Sequence, residues 1–248
     1  MRKKALEILA YLDFTSLNIN DGVKSIADFL SNLDDLKSRS LFPAGVCTYP
    51  IHCNQVNKYL VDTNVKTIAV GCGFPDSQSL LESKLCEAEK LNDLDLDEVD
   101  IVLNHNHFSV GDHESALDEI KAIRALLPNK KLKVILETSR IENEKKLKQA
   151  CTIAILGGAD FVKTSTGKNG DGAKADSFQI IAETIADYQQ ENNRKIGIKA
   201  SGGIKTVNDA WVFRNIVLDV LGEDYLNPNY FRIGASSLLK DIKKHIEA

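Results

Sequence analysis

The chain is 248 residues long, 43% hydrophobic and 27% charged, which excludes a disordered chain and suits one core of barrel size. Lys and Arg number 31 against 35 Asp and Glu, a formal net charge of −4, so there is no global basic excess to recruit nucleic acid. No apolar run approaches the ~18 residues of a membrane span, and no membrane partner is expected.

The basic start, Met1-Arg-Lys-Lys4, resembles the head of a secretory leader, but Glu7 interrupts the apolar stretch and Asp13 closes it. A cytosolic chain beginning here, with a short N-terminal helix, is the expectation. Strand-like runs then recur at 11–17, 44–49, 66–71, 98–103, 131–137, 160–165, 195–200 and 230–234. Between them the apolar period lengthens to about 3.6. Val23, Ile26, Phe29, Leu30 and Leu33 form one stripe, and Leu80, Leu81, Leu85, Ala88 and Leu91 a second. Leu117, Ile120, Ile123, Leu126 and Leu127 form a third. Pro128-Asn129 punctuates the third helix, and Gly157-Gly158 precedes the strand at 160. Eight strand–helix units in 248 residues predict a single α/β domain over 1–248, a (β/α)8 TIM barrel. An open doubly wound sheet is disfavoured, because no G-x-G-x-x-G follows the first strand. Cys47, Cys53, Cys72, Cys86 and Cys151 are an odd set without a C-x-x-C pair, read as buried or half-buried reduced thiols.

In a barrel, chemistry gathers at the carboxyl ends of the strands and in the loops that follow. Strands six and seven each end with one lysine after an apolar run, Lys163 before Thr-Ser-Thr-Gly and Lys199 before Ala-Ser-Gly-Gly. A lone strand lysine ordinarily points outward with its ammonium in solvent. Two on adjacent strands, both before Ser/Thr/Gly loops, favour an inward pair. An ordinary lysine is neutral in roughly one molecule in 2,500 at pH 7. A second ammonium about 5 Å away lowers its pKa by about 2.4 at an effective dielectric near 20, and burial adds to that. The pair thus prepares a neutral amine for Schiff-base chemistry on a carbonyl. Asp100 sits on strand four, sharing a face with Glu98 and Val102. It either caps a helix outside the barrel or pairs with the lysines inside it, where it can relay protons.

The loops offer an anion site. Gly202-Gly203-Ile204-Lys205 follows strand seven, and Gly234-Ala235-Ser236-Ser237 follows strand eight and opens the last helix. Glycines admit backbone N–H groups to a phosphate, and a helix N-terminus adds favourable partial charge. Ser236 alone reads equally as an ordinary N-cap. Gly167 and Lys168 add a turn and a cation.

Lys163-Thr-Ser-Thr-Gly-Lys168, Glu98-Val-Asp-Ile-Val102, Lys199 through Thr206 and Gly234-Ala-Ser-Ser-Leu-Leu239 together resemble the 2-deoxyribose-5-phosphate aldolase family of class I aldolases. Leu12-Asp-Phe-Thr-Ser-Leu-Asn18 and Val46-Cys-Thr-Tyr-Pro50 extend the likeness to the first two strands. The resemblance implies a TIM barrel that needs no cofactor or metal, acts on a small phosphosugar and forms a homodimer. It implies that Lys163 forms the Schiff base, Lys199 perturbs it and Asp100 passes protons. It also places Asp13 and Thr15 near the substrate hydroxyls and Cys47 close to the pocket. The sequence departs from the family at Lys205, where an arginine is common, and at Gly73-Phe-Pro-Asp-Ser77, which lacks a glycine soon after Phe-Pro. It ends Ile246-Glu247-Ala248, without the terminal tyrosine of some members.

Two other readings stand beside this one. His105, His107 and His113 follow strand four, where alternation could turn His105 and His107 toward a metal in a metal-dependent aldolase or isomerase. A barrel that binds a phosphosugar without chemistry is the other. It has no use for a neutral lysine.

Overall fold

The computed structural model describes residues 1–247. Eight parallel strands close a barrel in chain order. They are β1 Leu12–Thr15, β2 Gly45–Thr48, β3 Lys66–Val70, β4 Glu98–Val102, β5 Lys131–Ile135, β6 Phe161–Lys163, β7 Gly197–Ser201 and β8 Phe231–Ala235. Around them run α1 Arg2–Tyr11, α2 Val23–Ser31, α3 Asp34–Ser38, α4 Cys53–Leu60, α5 Leu81–Asp93 and α6 His105–Ser109. These are followed by α7 His113–Leu126, α8 Glu144–Leu156, α9 Ala175–Asn192, α10 Val207–Leu221 and α11 Leu238–Glu247. The fold is the expected (β/α)8 TIM barrel with its short N-terminal helix. No helix among the described residues is long and apolar enough to cross a membrane. Ala248, on which the reading of a missing tyrosine partly falls, lies outside the described residues.

Alternation along each strand sorts the side chains into two cores. Val46, Val99, Ile101, Val134, Val162, Ile198 and Ile233 are buried in the shell shared with the helices. The opposite parity points into the barrel, and there branched apolar residues give way to charge. Asp13, Glu98, Asp100, Lys133, Lys163, Lys199 and Arg232 are all buried. Phe161 packs into the same interior, and Gly197 on the neighbouring strand makes the space for it, since a Cβ there would collide with the Phe161 ring.

Three expectations are corrected. Tyr11 closes α1 instead of opening β1, because its hydroxyl donates to the Leu226 carbonyl and its ring packs on Phe231. On α5 the buried stripe is Lys84, Ala88 and Leu91, while Leu80 and Leu81 are exposed. Lys84 is drawn inside by Ser77 and by the Glu119 carboxylate, 2.7 Å from its Nζ. That rotation leaves Cys86 exposed, although the other four thiols are free and buried as expected.

Candidate active site

Strand register assembles the site. Lys163 is opposite Lys199 across the β6–β7 ladder, Lys199 is opposite Arg232 across β7–β8, and Asp100 is opposite Lys133 across β4–β5. Asp100 Oδ2 accepts from Lys163 Nζ at 2.8 Å and from Lys199 Nζ at 2.9 Å, while Oδ1 accepts from Lys133 Nζ at 2.9 Å. β4 does not adjoin β6 or β7, so these bonds span the barrel and fix all three lysines as inward. Below them, Lys199 Nζ lies 2.5 Å from Asp13 Oδ2. Arg232 bridges Asp13 Oδ1 at 2.6 Å and Glu98 Oε1 at 2.7 Å, and Lys133 lies 2.5 Å from Glu98 Oε2.

Charge counting shows why one lysine differs. The buried network has four cationic side chains (Lys133, Lys163, Lys199, Arg232) and three carboxylates (Asp13, Glu98, Asp100). It is neutral when one cation loses its proton, and an uncompensated buried charge is costly. The proton leaves most easily from Lys163. Burial pushes its pKa down and the Lys199 charge adds to that, against the pull of Asp100. Burial opposes the charged form of Lys199 too, but Asp100 and Asp13 outweigh it and hold that pKa above the ordinary value. Lys133 is likewise raised, with Asp100 and Glu98 overcoming burial. Asp100 itself is held well below the carboxylate range, because Lys133, Lys163 and Lys199 outweigh its burial. Burial is the larger cause of the lowered Lys163 pKa, and the Lys199 charge is a contributor.

Lys163 opens upward into a cavity of about 300 Å³. Thr15, Gly167, Lys168, Gly202, Gly203, Lys205, Gly234, Ser236 and Ser237 line it, with Thr166 and Ser201. Gly234 leaves room for the lysine beneath, since a Cβ there would stand 3.0 Å from Lys199 Cε. Gly202 has φ +88°, and a Cβ would sit 2.8 Å from Gly172 Cα. The two backbone segments thus approach more closely than larger residues would allow. Ser236 and Ser237 lead into the N-terminus of α11, and Lys168 and Lys205 stand exposed at the rim.

Asp13 does not line the cavity, whereas Cys47 stands close to it. Asp13 lies beneath the cavity, committed to Lys199 and Arg232, and only Thr15 of that strand reaches the cavity wall. Cys47 is buried with Leu17, Ile68 and Val70, Leu17 itself lining the cavity; burial pushes its thiol up to about 11, and the charges of Asp100, Lys199 and Lys163 also act on it. The histidine reading fails on geometry. Residues 105–109 form α6, so strand alternation no longer applies. His105 Nε2 donates to the Leu136 carbonyl at 2.8 Å, His107 pairs with Asp112 at 3.1 Å, and His113 stacks on Phe108. No group of three His, Cys, Asp or Glu side chains gathers in metal-ligand geometry among the described residues.

Sequence reasoning missed Lys133, Arg232 and Glu137. Arg232 is a single charge in an apolar strand, the same kind of signal that marked Lys163 and Lys199, whereas Lys133 shares its strand with Lys131. Glu137, the residue at which β5 turns, accepts from the Thr166 backbone N–H at 3.2 Å.

A TIM barrel with an inward lysine of lowered pKa, opening to glycine loops and a helix N-terminus, defines an enzyme built for carbonyl chemistry on a small anionic compound. A profile of DeoC/LacD family aldolases matches residues 8–244. The chain belongs to that family. It is 31% identical over 255 residues to the deoxyribose-phosphate aldolase of Homo sapiens, covering 97% of this chain and 80% of that one. Among solved structures, "QR15, an Aldolase" matches at 27% identity with a TM-score of 0.78, covering 97% of this chain and 96% of that one. The tetrameric deoxyribose phosphate aldolase of Aeropyrum pernix matches at 25% identity and a TM-score of 0.75, covering 98% and 95%.

Proposed function

We propose that this aldolase reversibly cleaves 2-deoxy-D-ribose 5-phosphate to acetaldehyde and D-glyceraldehyde 3-phosphate through a Schiff base on Lys163, without a metal. The observation that carries this reading is the position of Lys163. It is the member of the buried charge network that both tends to lose its proton and opens to the cavity. Its neutral amine attacks the C1 carbonyl, and loss of water from the carbinolamine gives the iminium. The C3 hydroxyl then gives up its proton while the C2–C3 bond breaks, and the bond's electron pair moves toward the iminium to leave an enamine. Protonation at C2 and hydrolysis release acetaldehyde and restore the amine. Asp100, 2.8 Å from Lys163 Nζ, orients that amine and passes protons between it and water. Lys199 remains the ammonium that keeps its neighbour neutral. Asp13 acts from below, holding Lys199, while Thr15 meets the substrate hydroxyls. The Gly167–Lys168, Gly202–Lys205 and Gly234–Ser237 segments receive the phosphate. We also infer one domain over 1–248, a cytosolic location and a homodimer.

The direct test is turnover. Protein treated with EDTA should release acetaldehyde and triose phosphate from 2-deoxyribose 5-phosphate at the untreated rate. Loss of activity restored by a divalent ion would favour a metal enzyme, and binding without turnover a sensor barrel.

The lysine pair makes a signed prediction. Lys163 must be neutral to attack, so activity rises with pH through its pKa. Removing the Lys199 charge raises that pKa, and Lys199→Leu should move the acid limb of the residual kcat/KM profile upward by as much as about 2 pH units. An unmoved limb would mean that burial alone tunes the amine.

The phosphate loops predict discrimination. Binding energy at a phosphate remote from the reacting carbons also orients the sugar, and part of it is realised only in the transition state. Unphosphorylated 2-deoxyribose should therefore react with a kcat/KM at least about 10²-fold lower, equivalent to about 2.7 kcal/mol. Equal rates for the two sugars would place the phosphate elsewhere.

A further inference from the structure

Beyond β5 the backbone at Glu137 turns left-handed, with φ 50° and ψ 63°, and its side chain is fully buried. A non-glycine residue in that conformation and a buried carboxyl are each unfavourable, and both persist only where the surroundings over-determine them. Here the surroundings are the wall of the cavity. Glu137 Oε2 accepts from the Thr166 N–H at 3.2 Å and from the Thr166 hydroxyl, and Thr166 Oγ1 accepts from the Lys168 N–H at 3.0 Å. Thr166, Gly167 and Lys168 all line the cavity. The second carboxylate oxygen, Oε1, has no hydrogen-bond partner among the described residues.

We propose that Glu137 is a positioning residue whose carboxylate sets the Thr166–Lys168 turn to receive the phosphate ester of the substrate. The proposal rests on the function proposed above. Hydrogen bonds to a charged acceptor are stronger and more directional than neutral ones, so the ionised form defines the turn best. The charged groups that face Glu137 are Lys163 from β6 and Arg140 from the turn at 138–140. Burial nevertheless raises its pKa above the ordinary glutamate value, against Thr166 and those two cations. As pH falls, Glu137 gains its proton earlier than a surface glutamate, and the turn loses its charged anchor.

The test compares 2-deoxyribose 5-phosphate with 2-deoxyribose in wild type and Glu137→Gln between pH 5 and 8. The ratio of the two kcat/KM values should fall about ten-fold in the variant near neutral pH. The difference between the two enzymes should shrink toward acid pH, where wild type also loses the charge; the substrate's own titration is common to both. Thr166→Val, which removes the hydroxyl link, should lower the ratio in the same direction if Glu137→Gln does not fold. Equal losses on both sugars, or a ratio that does not move, would reduce Glu137 to a packing role and overturn the proposal. Calorimetry with inorganic phosphate separates this from the reading of function. If wild type turned over neither sugar, that reading would fail, while about ten-fold weaker phosphate binding by Glu137→Gln would still support the positioning role.

Discussion

Lys163→Leu should abolish turnover of 2-deoxyribose 5-phosphate, by at least about 10⁴-fold, or about 5.5 kcal/mol, while leaving the protein folded. The first half follows from removing the amine that becomes the iminium. The second follows from the charge balance of the barrel interior. Lys133, Lys199 and Arg232 still face Asp13, Glu98 and Asp100, three against three. Asp100 keeps its bonds from Lys133 and Lys199, so no carboxylate is orphaned. Thermal unfolding should shift by only a few degrees, while steady-state assays lose their signal. A variant that retained a hundredth of the activity would show that another group forms the covalent intermediate.

Asp100→Asn should damage both stability and rate. The carboxylate accepts from three buried lysines, and its loss leaves three cations facing two carboxylates even with Lys163 neutral. Breaking a buried ion pair from one side costs about 3–5 kcal/mol, which for a chain of this length lowers Tm by on the order of 10 °C. Loss of the proton path should lower kcat by about 10²- to 10⁴-fold. The pH dependence carries the diagnostic sign. Asp100 pulls the Lys163 pKa upward, so its removal should move the acid limb of the residual activity to lower pH. That is opposite to the shift expected for Lys199→Leu. Calorimetry and a kcat/KM profile check the two parts separately. Limbs moving the same way in both variants would contradict the charge-balance account.

The barrel was readable because βα units impose two periods, and the segment lengths left room for eight of them. Lys163 and Lys199 stood out as charges at the ends of otherwise apolar strands. Lys133 and Arg232 lie within their strands and read locally as outward alternation: Lys131-Leu132-Lys133 looks like a solvent-facing edge, and Arg232 lies between Phe231 and Ile233. Their direction becomes evident only in strand register, which sets Asp100 beside Lys133 and Lys199 beside Arg232. The resemblance sets Asp13 near the substrate hydroxyls, and the structure adds that its carboxylate is paired with Lys199 and Arg232. Lys84 was hidden by a competing rule, since a leucine-rich stripe predicts the buried face of α5 until Glu119, 35 residues downstream, draws a lysine inside. Glu137 reads as an ordinary polar strand end. Nothing local in the sequence marks a left-handed residue that reaches across to the next loop.

Borohydride reduction in the presence of acetaldehyde, followed by peptide mass mapping, tests the central claim most directly. An imine formed by acetaldehyde on a neutral amine is trapped as an ethyl group, while a lysine held as an ammonium is not modified. A single ethylated lysine at Lys163, with Lys199 and Lys133 unmodified, is the predicted result. An adduct on Lys199 would invert the division of charge between the two lysines, and no adduct at all would contradict the Schiff-base mechanism.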